Sequence, residues 1–90
     1  MASPAEIAND MAAQAVFWQK RDKNIHRACD DAARMIRAFM AEERVDGRAY
    51  HGLHRRLFDL SVSRRWAHYG INDHLDRALR TIQILNREAR

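Results

Sequence analysis

The chain has 90 residues, among them 16 lysines and arginines and 12 aspartates and glutamates, which gives a formal net charge of +4. This length fits one domain spanning residues 1–90, and no apolar run reaches the roughly 20 residues that cross a membrane. We therefore expect a protein without a membrane partner or a signal peptide, and the single cysteine fits a reduced, cytoplasmic setting.

The composition favours helices throughout. Fifteen residues are alanine, whereas valine, isoleucine and threonine together number ten, and the chain holds three glycines and one proline. Alanine, leucine, arginine and glutamate favour helices, while strands are enriched in β-branched and aromatic residues. The sequence therefore predicts an all-α fold, a small antiparallel bundle of four helices joined by short connections.

The first predicted helix covers about residues 4–20. Ser3 and Glu6 have the spacing of a capping box at its start. One apolar face follows at spacings of three and four, formed by Ile7, Met11, Ala15 and Trp18. Val16 and Phe17 lie off this face, so the helix is apolar on more than one side near its end.

The second predicted helix covers about residues 23–44 and has the clearest amphipathic pattern. Its apolar stripe consists of Ile25, Ala28, Cys29, Ala32, Ala33, Ile36, Phe39 and Met40. The polar cluster 19–24 that precedes it leaves two arrangements open. Either a break separates helices 1 and 2, with Asp22 or Asn24 as the N-cap, or one continuous helix runs through both.

The third predicted helix, over about residues 47–69, follows a turn in which Asp46 can act as the N-cap. It carries the excess charge, since the segment 47–70 holds five arginines and one acidic residue while the other segments are close to neutral. It also holds three of the five histidines, which gain charge below about pH 6.5. This helix is therefore the candidate contact surface for a partner.

Apolar residues lie on two sides of helix 3. The core stripe consists of Ala49, Leu53, Leu57, Leu60 and Ala67, and a second stripe roughly opposite consists of Phe58, Val62, Trp66 and Tyr69. A helix that is apolar on two sides is either sandwiched between neighbours or carries an interface. The alternative is a kink at residues 61–63, which would let the two halves of the helix use different faces.

The fourth predicted helix covers about residues 73–89. Gly70 fits the end of the preceding helix, and Asn72 or Asp73 fits the N-cap position. The buried stripe of this helix consists of Leu75, Ala78, Leu79, Ile82 and Leu85.

The sequence offers little for catalysis or metal binding. It contains no glycine-rich phosphate loop, no G-x-S-x-G and no H-E-x-x-H. Cys29 lies within the apolar stripe of helix 2, where a thiol is an inert packing group. His51 and His54 are spaced like two ligands on one helix face, but zinc needs three or four. We therefore expect a protein that is not an enzyme and that holds neither a metal nor a cofactor.

These observations favour a small protein-interaction module or regulator, such as an adaptor or a stoichiometric inhibitor of a larger assembly. Interface hot spots are enriched in tryptophan, tyrosine and arginine. The residues expected to bind a partner are Phe58, Val62, Arg65, Trp66 and Tyr69, with Arg55 at the rim. The same face would make the protein a homo-oligomer, most simply a dimer. Packing of Trp66 against Trp18 inside the monomer is the alternative.

Binding of nucleic acid is the second functional interpretation. The residues that would contact phosphates are Arg48, His51, Arg55, Arg56 and Arg65, several of them near a helix N-terminus whose dipole favours anions. Binding of a duplex that weakens steeply with salt would be its signature. The sequence does not decide between nucleic acid and an acidic protein surface.

Overall fold

The protein folds into four α-helices in a computed structural model that describes residues 2–89. The helices are α1 (Pro4–Trp18), α2 (Lys23–Met40), α3 (Gly47–Ser61) and α4 (Ile71–Glu88), and one turn of 3-10 helix, Ala67–Tyr69, precedes α4. No strand occurs in the described part of the chain. The predicted all-α fold with four helices is confirmed.

Contacts between α1 and α2 show that these neighbours run antiparallel. The ring of His26 near the start of α2 donates to the carbonyl of Ala15 near the end of α1 (2.7 Å). Arg37 near the end of α2 donates to Asn9 in the first half of α1 (3.2 Å). α2 and α4 contact each other, and each of them also contacts α1 and α3. α1 and α3 do not contact each other. α1 and α3 therefore occupy opposite corners of the bundle.

A capped break separates α1 from α2. Asp22 has an extended backbone, and its Oδ1 atom accepts hydrogen bonds from the backbone N–H groups of Asn24 (3.0 Å) and Ile25 (3.2 Å). An aspartate at this position satisfies N–H groups that the first turn of a helix leaves without partners. Of the two arrangements that the sequence left open, the protein adopts the break with Asp22 as the N-cap. Ser3 and Glu6 form the predicted capping box of α1.

α2 ends at Met40, which corrects the predicted boundary at about residue 44. Glu42 has a left-handed backbone (φ 57°), and its N–H donates to the carbonyl of Phe39 (3.1 Å). The N–H of Glu43 donates to the carbonyl of Ala38 (2.9 Å). These two bonds define a Schellman motif, in which the left-handed residue is usually glycine. The sequence did not reveal this helix end because a glutamate occupies the usual place of the glycine.

α3 ends at Ser61, which corrects the predicted boundary at about residue 69. The side-chain amide of Asn72 donates to the carbonyl oxygens of Ser61 (2.7 Å) and Ser63 (2.6 Å). These bonds satisfy carbonyl groups that the end of a helix leaves without partners. The chain therefore leaves the helix where the sequence allowed a kink, and residues 62–70 form an irregular connection with one 3-10 turn.

α4 starts at Ile71, earlier than the predicted residue 73. Gly70 precedes it with a left-handed backbone (φ 73°) that directs the chain into the helix. Asn72 and Asp73 lie in the first turn of α4 rather than at its N-cap. The side chain of Asn72 therefore does not cap α4 as predicted, and it donates to the end of α3 instead.

The predicted apolar stripes of α1, α2 and α4 form most of the core. The largest fully buried side chains are Trp18, Met11, Ile36, Leu53, Leu57, Ile71, Leu75, Ile82 and Cys29. On α3 the prediction was less accurate, because Ala49 is exposed while Tyr50, which lies outside the predicted stripe, is buried. Ala67 is also exposed, since it belongs to the connection and not to α3.

Candidate functional site: an aromatic, basic end of the bundle

Four aromatic side chains meet where the α1–α2 and α3–α4 connections lie side by side. They are Phe17, Trp18, Trp66 and Tyr69, and we call this cluster the aromatic end. Trp18 is fully buried at its centre. The ring centroid of Trp18 lies 5.2 Å from that of Phe17 and 5.4 Å from those of Trp66 and Tyr69. All three contacts are edge-to-face, a favourable arrangement for aromatic pairs.

Trp66 is part of the framework of this cluster. Its indole Nε1 donates to Asp22 Oδ2 at 2.8 Å, while the other oxygen of Asp22 caps α2. The ring is partly buried against the core and against Trp18. The structure thus adopts the alternative in which the two tryptophans pack inside the monomer, and one carboxylate joins the connection after α3 to the start of α2.

Asp22 is ionised to a lower pH than an ordinary aspartate. Burial of the carboxyl by itself would raise its pKa, but the hydrogen bond from Trp66 and those from the backbone N–H groups of Ile25 and Asn24 outweigh burial. The positive charge of Arg65 acts in the same direction, and the pKa falls below its usual value of 3.8. Asp22 therefore remains a charged acceptor throughout the neutral range.

The exposed part of the aromatic end consists of two half-exposed rings beside an arginine. Phe17 is 43% exposed and Tyr69 is 44% exposed, and their ring centroids are 5.9 Å apart. The guanidinium carbon of Arg21 lies 4.5 Å from the centroid of the Phe17 ring and 5.9 Å from that of Tyr69. Arg65 similarly lies 5.4 Å from the Trp66 ring. Cation–π contacts of this kind hold arginines against aromatic faces.

The two connections at this end, together with the first residue of α2, carry a charge equal to the net charge of the protein. Residues 19–23 and 62–70 contain one acidic residue, Asp22, and five exposed cations, namely Lys20, Arg21, Lys23, Arg64 and Arg65. Of the 16 basic and 12 acidic residues in the chain, eleven of each remain outside these two segments. The five arginines of the predicted helix 3 are thus divided between two elements. Three of them lie on α3, whereas Arg64 and Arg65 lie in the connection that follows it.

The predicted partner-binding residues do not form one stripe. Phe58 (51% exposed) lies on the solvent side of α3, and Val62 (61% exposed) follows its last residue. Trp66 and Tyr69 belong to the separate aromatic end with Arg65. The expected continuous surface required a helix through residue 69, and the end of α3 at Ser61 removes it.

The five predicted phosphate contacts are divided in a similar way. Arg48, His51 and Arg55 are exposed on the solvent side of α3. Arg56 instead forms an ion pair with Asp31 of α2 (2.6 Å), and Arg65 lies over Trp66 at the aromatic end. Three of the five therefore remain on one surface.

Cys29, His51 and His54 take part in packing and hydrogen bonding within the bundle. Burial and, to a lesser degree, the negative charge of Asp10 raise the pKa of the Cys29 thiol to about 12. His54 accepts a hydrogen bond from the amide of Gln83 (2.8 Å), and both His51 and His54 lie against the Tyr50 ring. Within residues 2–89, no three histidine, cysteine, aspartate or glutamate side chains are grouped as metal ligands would be.

Lys20, Arg21, Asp22 and Lys23 are the functional candidates that the sequence did not single out. In the sequence they belong to a polar cluster, and no local pattern links them to Trp66, which is 44 residues from Asp22 along the chain.

Comparisons of the chain with protein-family models and with curated proteins, and of its structure with solved structures, find no match. Among the described residues, no helix is both long enough and apolar enough to cross a membrane.

Proposed function

We propose that this protein is a non-enzymatic interaction module that binds an acidic segment of a protein partner through its aromatic end. The observation that carries the proposal is the pair of half-exposed rings, Phe17 and Tyr69, held beside Arg21 on the buried Trp18. Aromatic and arginine side chains dominate interface energetics, and rings that are already fixed in place lose little entropy on binding.

The charge around these rings specifies the kind of partner. Five exposed cations surround the aromatic end, against two acidic residues: Asp22, which is occupied by its hydrogen bonds, and Asp73 in the first turn of α4, which lines a cavity together with Arg64. A surface of this kind attracts acidic partners and speeds their association. Such a protein acts by stoichiometric binding, as an adaptor or an inhibitor does. Burial and, to a lesser degree, the negative charge of Asp10 raise the pKa of the Cys29 thiol to about 12, so this thiol does not serve as a nucleophile.

The test is a titration of the full chain with a synthetic peptide rich in glutamate and leucine, followed by tryptophan fluorescence, which reports on Trp18 and Trp66. We expect saturable binding that weakens with added salt. Tyr69→Ala and Arg21→Glu should each weaken it roughly tenfold, the effect of losing one hot-spot residue.

Two matched variants control this test. Phe58→Ala removes an aromatic ring of similar exposure on α3, and Arg87→Glu makes the same charge change at the far end of α4. Neither should alter the affinity. Absence of binding, or losses in the controls equal to those at the aromatic end, would overturn the proposal.

Nucleic-acid binding is the second candidate, and the exposed Arg48, His51 and Arg55 on one side of α3 favour it. Its test is binding of a DNA duplex at low and high salt. Binding that weakens steeply with salt and is abolished by Arg55→Glu, but not by Tyr69→Ala, would support this candidate over the first. No binding at low salt would exclude it.

A further inference from the structure

The solvent side of α1 is a second surface, which adjoins the aromatic end at Phe17 and Lys20. Its exposed positions recur at spacings of three and four and are Glu6, Asn9, Ala13 and Val16, with Lys20 following just after the helix. Val16 is 73% exposed. Because α1 stands at a corner of the bundle and contacts only α2 and α4 among the α-helices, no helix covers this side, and Arg37 of α2 reaches Asn9 at its edge.

The order of residues along this side is self-complementary. Glu6 lies seven residues before Ala13, and Lys20 lies seven residues after it. If two α1 helices pack antiparallel with Ala13 on a two-fold axis, Glu6 of each copy faces Lys20 of the other. Glu6 is able to make this contact, since its capping bonds to Ser3 use Oε1 and leave Oε2 free.

The middle of this side suits close approach of two helices. Ala13 is on the axis, Asn9 lies one turn before it, and Val16 offers an exposed apolar side chain on each flank. Between Glu6 and Lys20 the exposed positions carry no charge. The solvent side of α3 differs, because symmetric pairing there would bring the cations Arg48 and Arg55 of two copies together, which costs energy.

We propose that a second copy of this chain is the partner of the α1 surface, in an antiparallel, two-fold dimer with Ala13 on the axis. A symmetric dimer uses the same surface on both copies, so every contact away from the axis, such as that between Glu6 and Lys20, occurs twice. The two aromatic ends then lie at opposite ends of the dimer, because the two α1 helices run in opposite directions.

The first test is the mass of the full chain in solution, measured by sedimentation equilibrium. One helix face per copy is a small interface, so we expect a weak dimer that is evident at concentrations on the order of 100 µM. Ala13→Glu places two carboxylates on the axis and should yield a monomer. Ala49→Glu introduces the same side chain at an exposed alanine of α3 and should leave the dimer intact.

A charge exchange tests the register. Lys20→Glu replaces two attractions by two repulsions and should weaken the dimer at least roughly tenfold. The double variant Glu6→Lys with Lys20→Glu restores complementary charges and should recover dimerisation. Loss of the α1 capping box in Glu6→Lys cannot produce that recovery, so the rescue reports on the ion pairs.

Cross-linking tests the symmetry directly. Only a residue on the two-fold axis meets itself, so Ala13→Cys should form an intermolecular disulfide on oxidation, while Ala49→Cys should not. A wild-type monomer at high concentration, or a dimer that is unaffected by Ala13→Glu, would overturn the inference. Tyr69→Ala should leave the dimer unchanged, so failure of the proposed function and failure of this inference are distinguishable.

Discussion

At the scale of single residues, Asp22 connects parts of the chain that are distant in sequence. Its carboxylate caps α2, accepts the indole N–H of Trp66 and lies near the charge of Arg65. The hydrogen bonds satisfy N–H donors that would otherwise remain unpaired within the fold. The aromatic end therefore depends on an acidic residue for its geometry, although its surface is basic.

Substitution of Asp22 should separate these contributions. Asp22→Ala removes the cap and the acceptor for Trp66, and we expect the free energy of unfolding to fall by about 2–3 kcal/mol. Asp22→Asn retains an oxygen for the cap but places an amide N–H group against the indole, which should cost about 1 kcal/mol. Urea unfolding measures both values. Equal losses in the two variants would contradict the assigned hydrogen bond.

The lowered pKa of Asp22 predicts how stability depends on pH. A carboxyl whose pKa is lower in the folded state stabilises the fold above its unfolded pKa of about 3.9, and the contribution is lost as the pH falls through the folded value. The stability difference between the wild type and Asp22→Asn should therefore be constant from roughly pH 5 to 7 and shrink below about pH 4. Urea unfolding at pH 7 and pH 3 checks this, and a difference that widens in acid would indicate a raised pKa.

At the scale of the elements, helix ends differ most from the prediction. The apolar stripes of α1, α2 and α4 were predictable because burial repeats with the helical period. The ends of α2 and α3 depend on a left-handed Glu42 and on the side chain of Asn72, neither of which changes that period. These details define where the connections lie and hence which residues reach the aromatic end.

The two left-handed residues should respond in opposite directions to substitution. Glu42→Gly relieves a left-handed conformation that L-residues adopt at a cost, and should raise the free energy of unfolding by about 1 kcal/mol. Gly70→Ala imposes that cost, with no atom within 4 Å of the added methyl group, and should lower it by about 1 kcal/mol. Urea unfolding measures both. Glu43→Gly is the control, and a gain there equal to that of Glu42→Gly would contradict the explanation.

At the scale of the whole molecule, most of the basic charge lies away from the middle of the α1 surface, and Lys20 belongs to both regions. The basic charge lies at the aromatic end, and the uncharged middle of the α1 surface lies along one corner of the bundle. A net charge concentrated at one end limits repulsion between copies that pair elsewhere. The protein therefore has room for a partner at one surface and a second copy at another.

This arrangement predicts thermal stability that depends on protein concentration. If the α1 surfaces associate only when folded, mass action raises the melting temperature of the wild type as concentration increases. Ala13→Glu should melt at a temperature that does not vary with concentration, whereas Ala49→Glu should behave like the wild type. Differential scanning calorimetry over a wide concentration range measures this, and identical behaviour of all three proteins would contradict the proposed dimer.

The sequence by itself determined the all-α fold, the capping box of α1 and most of the core, because these depend on patterns within a few turns of one helix. It also placed Val16 and Phe17 outside the core stripe of α1. Only the tertiary structure decided that Trp66 packs on Trp18 and bonds to Asp22, and that the net charge gathers at one end. The reason is physical: those contacts join segments far apart in the chain, and they form only once the bundle brings its two connections together.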